Sequence, residues 1–454
     1  MKGILTLILL VGSVVRLTAQ EQPLAVGKVI DTVKCKANEK QSYALYLPKN
    51  YSRSATWPVI FFYDPGARGK VPVAMYSSLA EKYQCILVGS NNSRNGPLNA
   101  TQEAEQAILK DVSGRLSIAQ NKLLISGFSG GARASVFLSQ QRKTYAGIIA
   151  CGGAFPSNGK LTAKDKTPFV EIVGNVDFNY IEALETEYYL SDIEYPHALF
   201  LFQGTHTWPP VNVYDQAVFW HLFKIQPPLK SLVDSYETGL LANAEGEMNA
   251  GELCLAYWNL DQAVLASSKI ELLKKRISTD PRFLVQQKKL EGALKTEKDF
   301  LREFYQLYAR INYVTHDTTF KENDWRNLIT RVNKLSKSDE MLDRQAHERL
   351  VQQIKIGCIG GYHGEVEFKR YLQASLKARI LILLQPDYQS YVLLARAYAK
   401  MNRKKEALGA LSKSAELGLS DRSALEQSDF SSLVKEKKFV AVKQQVEANA
   451  KKSP

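Results

Sequence analysis

The first half of the chain alternates short apolar blocks with longer mixed stretches. Apolar runs of strand length fall at 57–63, 85–89, 124–128, 146–150, 167–174 and 198–202. Between them, 73–83 and 101–116 read as helices. Near-continuous apolar strands alternating with helices predict an α/β fold, its mainly parallel sheet covered on both faces. Two earlier segments, 26–35 and 41–47, read as opening strands antiparallel to each other.

The pattern changes at Gln226-Pro227-Pro228. From Ser231 onward strand-like runs nearly vanish and helical periodicity takes over. One unit has the large-small-large spacing of a tetratricopeptide-type repeat. Tyr391, Leu394, Ala395, Tyr398, Ala407 and Leu411 hold its packing positions, and Met401-Asn402-Arg403-Lys404 is its turn. The rest of the second half reads as helical hairpins of degraded period. The aromatic stripe Phe300, Phe304, Tyr305 and Tyr308 reads as packing. The expected division is an α/β domain at 20–226 and an all-α, tetratricopeptide-like helical-repeat domain at 227–454.

Chemistry concentrates where the strand at 124–128 breaks into Gly127-Phe128-Ser129-Gly130-Gly131 and then into a helix. A serine on such a turn projects its hydroxyl above the sheet, and the tightness of the turn calls for small neighbours. The following helix aims its free amides at the space above Ser129. A nucleophilic serine needs a base, and the base an orienting acid, here in the chain order Ser, Asp or Glu, His. Asp177 lies in the loop after the 167–174 strand, and His206 in the loop after 198–202. Glu171, within its strand, and Asp64, in another loop, are alternative acids. His197 precedes its strand, His221 lies on an apolar helix, and His316, His347 and His363 fall in the helical half.

On these residues, with Gly174 and Gly204-x-His206-x-Trp208, the segment from about Lys28 to Phe223 resembles the α/β-hydrolase superfamily. It is most similar to lidless secreted esterases of the feruloyl esterase, polyhydroxybutyrate depolymerase and dienelactone hydrolase-like kind. The resemblance implies about eight strands, with Ser129 as nucleophile, His206 as base and Asp177 as orienting acid. It covers a little under half the chain and leaves the substrate open.

Family members often carry His-Gly after the third strand, where this chain has Asp64-Pro65-Gly66-Ala67-Arg68. Pro65 has no amide hydrogen. The backbone amides of Gly66 or Ala67, with that of Gly130, are therefore the oxyanion candidates. Arg68, Asn91 and Asn92 of neighbouring loops, and Trp208, are candidate substrate contacts. The short connection 152–166 has room for a turn and no lid, which predicts an open site for a bulky or polymer-attached ester.

Composition narrows the setting. The 454 residues exceed one core and carry a formal charge of +13. The basic excess is mixed with acids along helices, a solvated surface and no nucleic-acid footprint. Five scattered cysteines make no disulfide framework, and no Cys/His cluster points to a metal, so no cofactor is expected. Lys2, the apolar run 4–15 and Ala19 read as a cleavable signal peptide at 1–19, too short for a membrane anchor. The expected protein is a secreted or periplasmic serine hydrolase acting on carboxylic esters, without a transmembrane anchor. Its helical repeats are free to hold a protein or peptide partner, and a chain ending near Pro228 is expected to keep activity on small esters. Two alternatives are a serine peptidase of the same superfamily and a non-catalytic binding protein built on the hydrolase scaffold.

Overall fold

The computed structural model describes residues 24–155, 161–162, 167–225, 227–426 and 428–452. The signal-peptide expectation at 1–19 lies outside the described residues, as do 156–160 and 163–166 of the short connection.

Eight strands form one sheet: β1 (Val29–Cys35), β2 (Asn38–Tyr46), β3 (Trp57–Tyr63), β4 (Ile86–Ser90), β5 (Ile118–Phe128), β6 (Gly147–Cys151), β7 (Phe169–Gly174) and β8 (His197–Phe202). Their order is β1-β2-β4-β3-β5-β6-β7-β8. The β1–β2 and β2–β4 pairs are antiparallel, and every later pair is parallel. Side chains alternate between the two faces. Ile60 and Phe62 of β3 enter one core, while Val59, Phe61 and Tyr63 enter the other.

Helices α1 (Lys70–Met75), α2 (Ser77–Tyr83), α3 (Leu98–Arg115), α4 (Gly130–Gln141), α5 (Tyr180–Asp192) and α6 (Val211–Ile225) cover the sheet. The single helix expected at 73–83 is two, broken at Tyr76. Val73, Leu79 and Phe219 from α1, α2 and α6 fill one core. Ile108, Val136 and Leu190 from α3, α4 and α5 fill the other. Register brings Tyr63 beside Gly127 and Gly174 beside Phe202, so the loops that leave β3, β5, β7 and β8 meet at one end of the sheet. Ligands of such sheets bind at that end.

The second half is all helical: α7 (Lys230–Asn249), α8 (Leu253–Asp261), α9 (Ser268–Ser278), α10 (Pro281–Ile311), α11 (Glu322–Leu335), α12 (Met341–Glu367), α13 (Tyr371–Leu384), α14 (Tyr388–Lys400), α15 (Lys404–Glu416) and α16 (Lys437–Lys452). Local chemistry sets several starts. Ser267 caps α9 by accepting from the Ile270 amide, and Asp280 caps α10 ahead of Pro281. The repeat-like unit at 388–416 is the α14–α15 hairpin, with Leu394, Ala395, Ala407 and Leu411 buried between its helices and their neighbours.

Secondary structure changes character where expected, between Ile225 and Lys230. The core does not divide there. Tyr236 and Leu240 of α7, with Leu253, Ala256 and Leu260 of α8, lie in the same buried cluster as Phe200, Phe202 and Phe219. The Phe219 and Tyr236 rings stack at 4.0 Å across the boundary. The α8 helix also covers the open edge of β8. Asn259 Oδ1 accepts from the Leu201 amide at 2.9 Å, and its Nδ2 donates to the Leu201 carbonyl at 2.9 Å. Trp258 donates to the Leu199 carbonyl at 2.8 Å, and Gln262 accepts from the Leu199 amide at 3.1 Å. Side chains thus replace the missing ninth strand. Burial of this extent bears on the expectation of a self-sufficient domain ending near Pro228, which removal of the second half tests.

Candidate active site

Ser129 follows β5 directly and precedes the first turn of α4. Its backbone sits at φ 54 and ψ −120, a region non-glycine residues rarely adopt. The surroundings enforce this geometry. A Cβ on Gly127 would strike the Gly131 carbonyl, and one on Gly131 would strike the Tyr63 carbonyl. The Ser129 amide donates to the Cys151 carbonyl at 2.8 Å, which pins the turn to β6.

Asp177 is fully buried, and His206 keeps 17 % side-chain exposure. His206 Nδ1 lies 2.8 Å from Asp177 Oδ2. A carboxylate only accepts, so Nδ1 carries the hydrogen in this pair. Asp177 Oδ1 accepts from the Asn179 amide at 2.8 Å, and Asn179 Nδ2 donates to the Gly152 carbonyl at 2.7 Å. The imidazole packs against two phenylalanines, Phe128 at 4.6 Å and Phe178 at 4.2 Å between ring centroids. Both adjoin a candidate catalytic residue in sequence, and that adjacency is the signal that marks them in retrospect.

Glu171, the alternative acid, is buried on β7 and neither carboxylate oxygen has a hydrogen-bond partner among the described residues. Burial, with the charge of Glu182, pushes its carboxyl well above the usual range. Asp64, the other alternative, is occupied elsewhere. Burial works to raise its carboxyl, but hydrogen bonds from Arg68, Trp208 and the Gly66 amide outweigh it and hold the group low. His221 is buried on α6 and shares an Nε2 contact of 2.9 Å with the Ile148 carbonyl. Burial lowers it to about 4, so it is a neutral packed histidine.

Several expected contacts are spent on the scaffold. The Gly66 amide donates to Asp64 Oδ1 at 2.8 Å and the Ala67 amide to the Asp64 carbonyl at 3.1 Å. Both oxyanion candidates on this loop are therefore engaged, because Asp64 closes the loop on itself. Gly130, the first residue of α4, keeps the position of a helix N-terminal amide. Arg68 forks onto Asp64 at 2.8 and 3.0 Å. Asn92 binds the Ser42 amide and Lys40 carbonyl, and Asn91 the Asp31 carbonyl, so both fasten their loop to β1 and β2. Trp208 is buried, donates to Asp64 Oδ2 at 2.9 Å and packs on Phe128, linking the His206 and Asp64 loops. The loop residue that does reach the elbow is Asn95, whose carboxamide lies against Gly130. It lines a cleft of about 170 Å³ with Asp64, Gly130, Gly131 and Arg133. Arg133, four residues after Ser129 on α4, pairs with Glu182 at 2.5 and 2.7 Å.

All five cysteines are free thiols, and no group of three His, Cys, Asp or Glu among the described residues is placed to hold a metal. No described helix is long and apolar enough to cross a membrane.

Residues 87–193 match a family model described as phospholipase/carboxylesterase. No curated protein matches the sequence. Solved structures similar to the first half include a ferulic acid esterase, 15% identical, covering 44% of this chain and 97% of its own, TM-score 0.34. A fluorophosphonate-binding serine hydrolase from Staphylococcus aureus is 14% identical, covering 44% and 100%, TM-score 0.34. A feruloyl esterase module from Clostridium thermocellum, complexed with sinapinate, is 14% identical, covering 44% and 86%, TM-score 0.33. At these scores they stand as likenesses and add nothing to the topology read directly from the sheet. The sheet order and the strand–Ser129–helix turn give the first half of the chain an α/β-hydrolase fold, the match over 87–193 makes it similar to the phospholipase/carboxylesterase family, and a large helical region follows.

Proposed function

We propose that this protein is an exported serine esterase that cleaves carboxylic esters through an acyl-enzyme on Ser129. The observation that carries the reading is the 2.8 Å His206–Asp177 hydrogen bond, in loops at the same end of the sheet as the strained Ser129 turn. With Nδ1–H held by Asp177, the Nε2 lone pair takes the Ser129 hydroxyl proton as Oγ attacks the ester carbonyl carbon. The Gly130 amide faces the charge that develops on the carbonyl oxygen. One such donor is worth roughly 3–4 kcal/mol in measured cases. The proton passes from Nε2 to the departing alcohol, leaving the acyl group on Ser129. Water then attacks the acyl carbonyl, Nε2 accepts its proton and returns it to Oγ, and the acid is released.

Export rests on the basic-apolar-small order of residues 1–19. The repeat-like α14–α15 hairpin supports the further reading that the distal helices hold a protein or peptide partner. The test of the main reading is a panel of p-nitrophenyl esters of rising chain length, a feruloyl ester and peptide amides, together with a fluorophosphonate probe. Ester turnover and labelling, both lost in Ser129→Ala, are expected. Amide turnover exceeding ester turnover would make the protein a peptidase, and absence of labelling would make it a binding scaffold.

A further inference from the structure

Asn175 lies two residues before Asp177, and each of its polar groups is engaged. Its amide donates to the Phe202 carbonyl at 2.8 Å, and its Oδ1 accepts from the Gly204 amide at 3.1 Å. Those two bonds tie the acid loop to the loop that carries His206. The other two leave the hydrolase fold. Asn175 Nδ2 donates to Glu252 Oε1 at 3.1 Å, which also accepts from Gln345 of α12 at 2.6 Å. The Asn175 carbonyl accepts from Nη1 of Arg349, also on α12.

Arg349 is held as firmly as the atom it holds. Its side chain is 3% exposed and that of Glu297, on α10, 2%. Nε lies 3.0 Å from both Glu297 carboxylate oxygens and Nη2 2.6 Å from Oε2. The guanidinium also covers the Tyr180 ring at 4.7 Å. Tyr180 opens α5 three residues after Asp177, and its amide donates to the Asp177 carbonyl at 2.9 Å. The cation therefore touches the chain on both sides of the acid.

A charge pair this deep gains little net stability over an apolar pair, because desolvation consumes most of the attraction. An apolar pair cannot, however, donate an N–H to a loop carbonyl. We propose that Arg349, oriented by Glu297, is a positioning residue for catalysis. Through Asn175 it fixes the acid loop so that Asp177 and His206 keep their geometry. The helical half is then part of the support of the active site and not an appended module. The proposal rests on the reading of Ser129, His206 and Asp177 as the catalytic set.

The test uses the full chain and a p-nitrophenyl ester. Glu297→Met with Arg349→Met removes both charges together and leaves no buried charge unpaired. It is expected to keep a thermal midpoint near that of the parent. Its kcat should fall roughly 10- to 100-fold with KM nearly unchanged, the scale of a 1 Å misplacement in an active site. Arg349→Lys keeps the charge but gives up the planar fork that serves Glu297 and Asn175 at once. It should lose about fivefold or more in kcat, and it decides the matter if the double variant does not fold. In an Asp177→Asn background the Arg349→Lys change should cost less than about twofold, since residues acting as one unit are not additive. A folded variant with parental kcat, or an equal loss in both backgrounds, would overturn the proposal alone. A Ser129→Ala chain that stays active would remove the catalytic reading and this proposal with it.

Discussion

The two halves of this chain contribute to one site in opposite ways. The α/β half carries the candidate chemistry on loops at strand ends, where Ser129, Asp177 and His206 are exposed enough to act or buried just beneath. The helical half, in α7 to α10 and α12, packs beside the β8 edge and the loop after β7. It presents buried polar side chains to groups left unpaired there, Asn259 and Arg349 to backbone and Glu252 to the Asn175 carboxamide. On the proposal for Arg349, an element without a reactive group governs reactivity, because the edge of β8 and the loop after β7 have no further strand to hold them. Helices α13 to α16 stand apart from this work. They share a buried cluster with Tyr362 of α12, and Leu376, Ile380, Leu381 and Leu384 of α13 also join the cluster of α10 to α12.

The largest expected effect tests the α/β side of this division. Ser129→Ala should lower turnover by at least about 10³-fold and abolish fluorophosphonate labelling, with the fold intact by circular dichroism. Ester hydrolysis surviving in that variant would move the chemistry elsewhere.

Removing everything after Pro228 attacks the other side. It strips the partners of Phe200, Phe202 and Phe219 and bares the β8 edge. Each large apolar side chain uncovered costs about 1.5–3 kcal/mol, against a total stability of about 5–15 kcal/mol. The truncated chain should be insoluble, or bind a hydrophobic dye without a cooperative melt. A soluble, active fragment would restore the picture of two independent modules.

A milder cut separates the β8 edge from the site. Asn259→Ala leaves the Leu201 amide and carbonyl without their side-chain partner while no catalytic candidate is touched. Denaturant unfolding should show a loss of about 2–4 kcal/mol, the cost of two stranded buried groups, with kcat close to the parent.

The smallest effect concerns pH. His221 is lowered from 6.5 to about 4 by burial, so between those values the unfolded chain binds the proton that the folded chain refuses. Stability present above pH 6.5 is therefore lost as pH falls toward 4, by about 2 kcal/mol from pH 7 to pH 5 for this group. His221→Gln should flatten that part of the thermal-midpoint profile. An unchanged slope would assign acid sensitivity to other groups.

Much of this molecule follows from local sequence. The apolar blocks at 57–63 and 124–128 are buried on both faces and become β3 and the end of β5 because no other element hides so many adjacent apolar side chains. The turn at Ser129 is equally local, since Gly127 and Gly131 stand where a Cβ would collide with backbone. That the loops of Asp177 and His206 meet follows from their places after strands, as a parallel sheet gathers such loops at one end. What tertiary structure alone decided is where each polar group spends its hydrogen bonds. Nothing local says that Asp64 consumes the Gly66 amide and the Arg68 fork, or that Asn91 and Asn92 turn away from Ser129 toward β1 and β2. The bond from Arg349 to Asn175 spans 174 positions of sequence, and Pro227-Pro228 looks like a boundary although the core runs past it. Periodicity records which side of an element is apolar. The partner that covers it, and the distant donor that satisfies a buried carbonyl, exist only once the chain has folded.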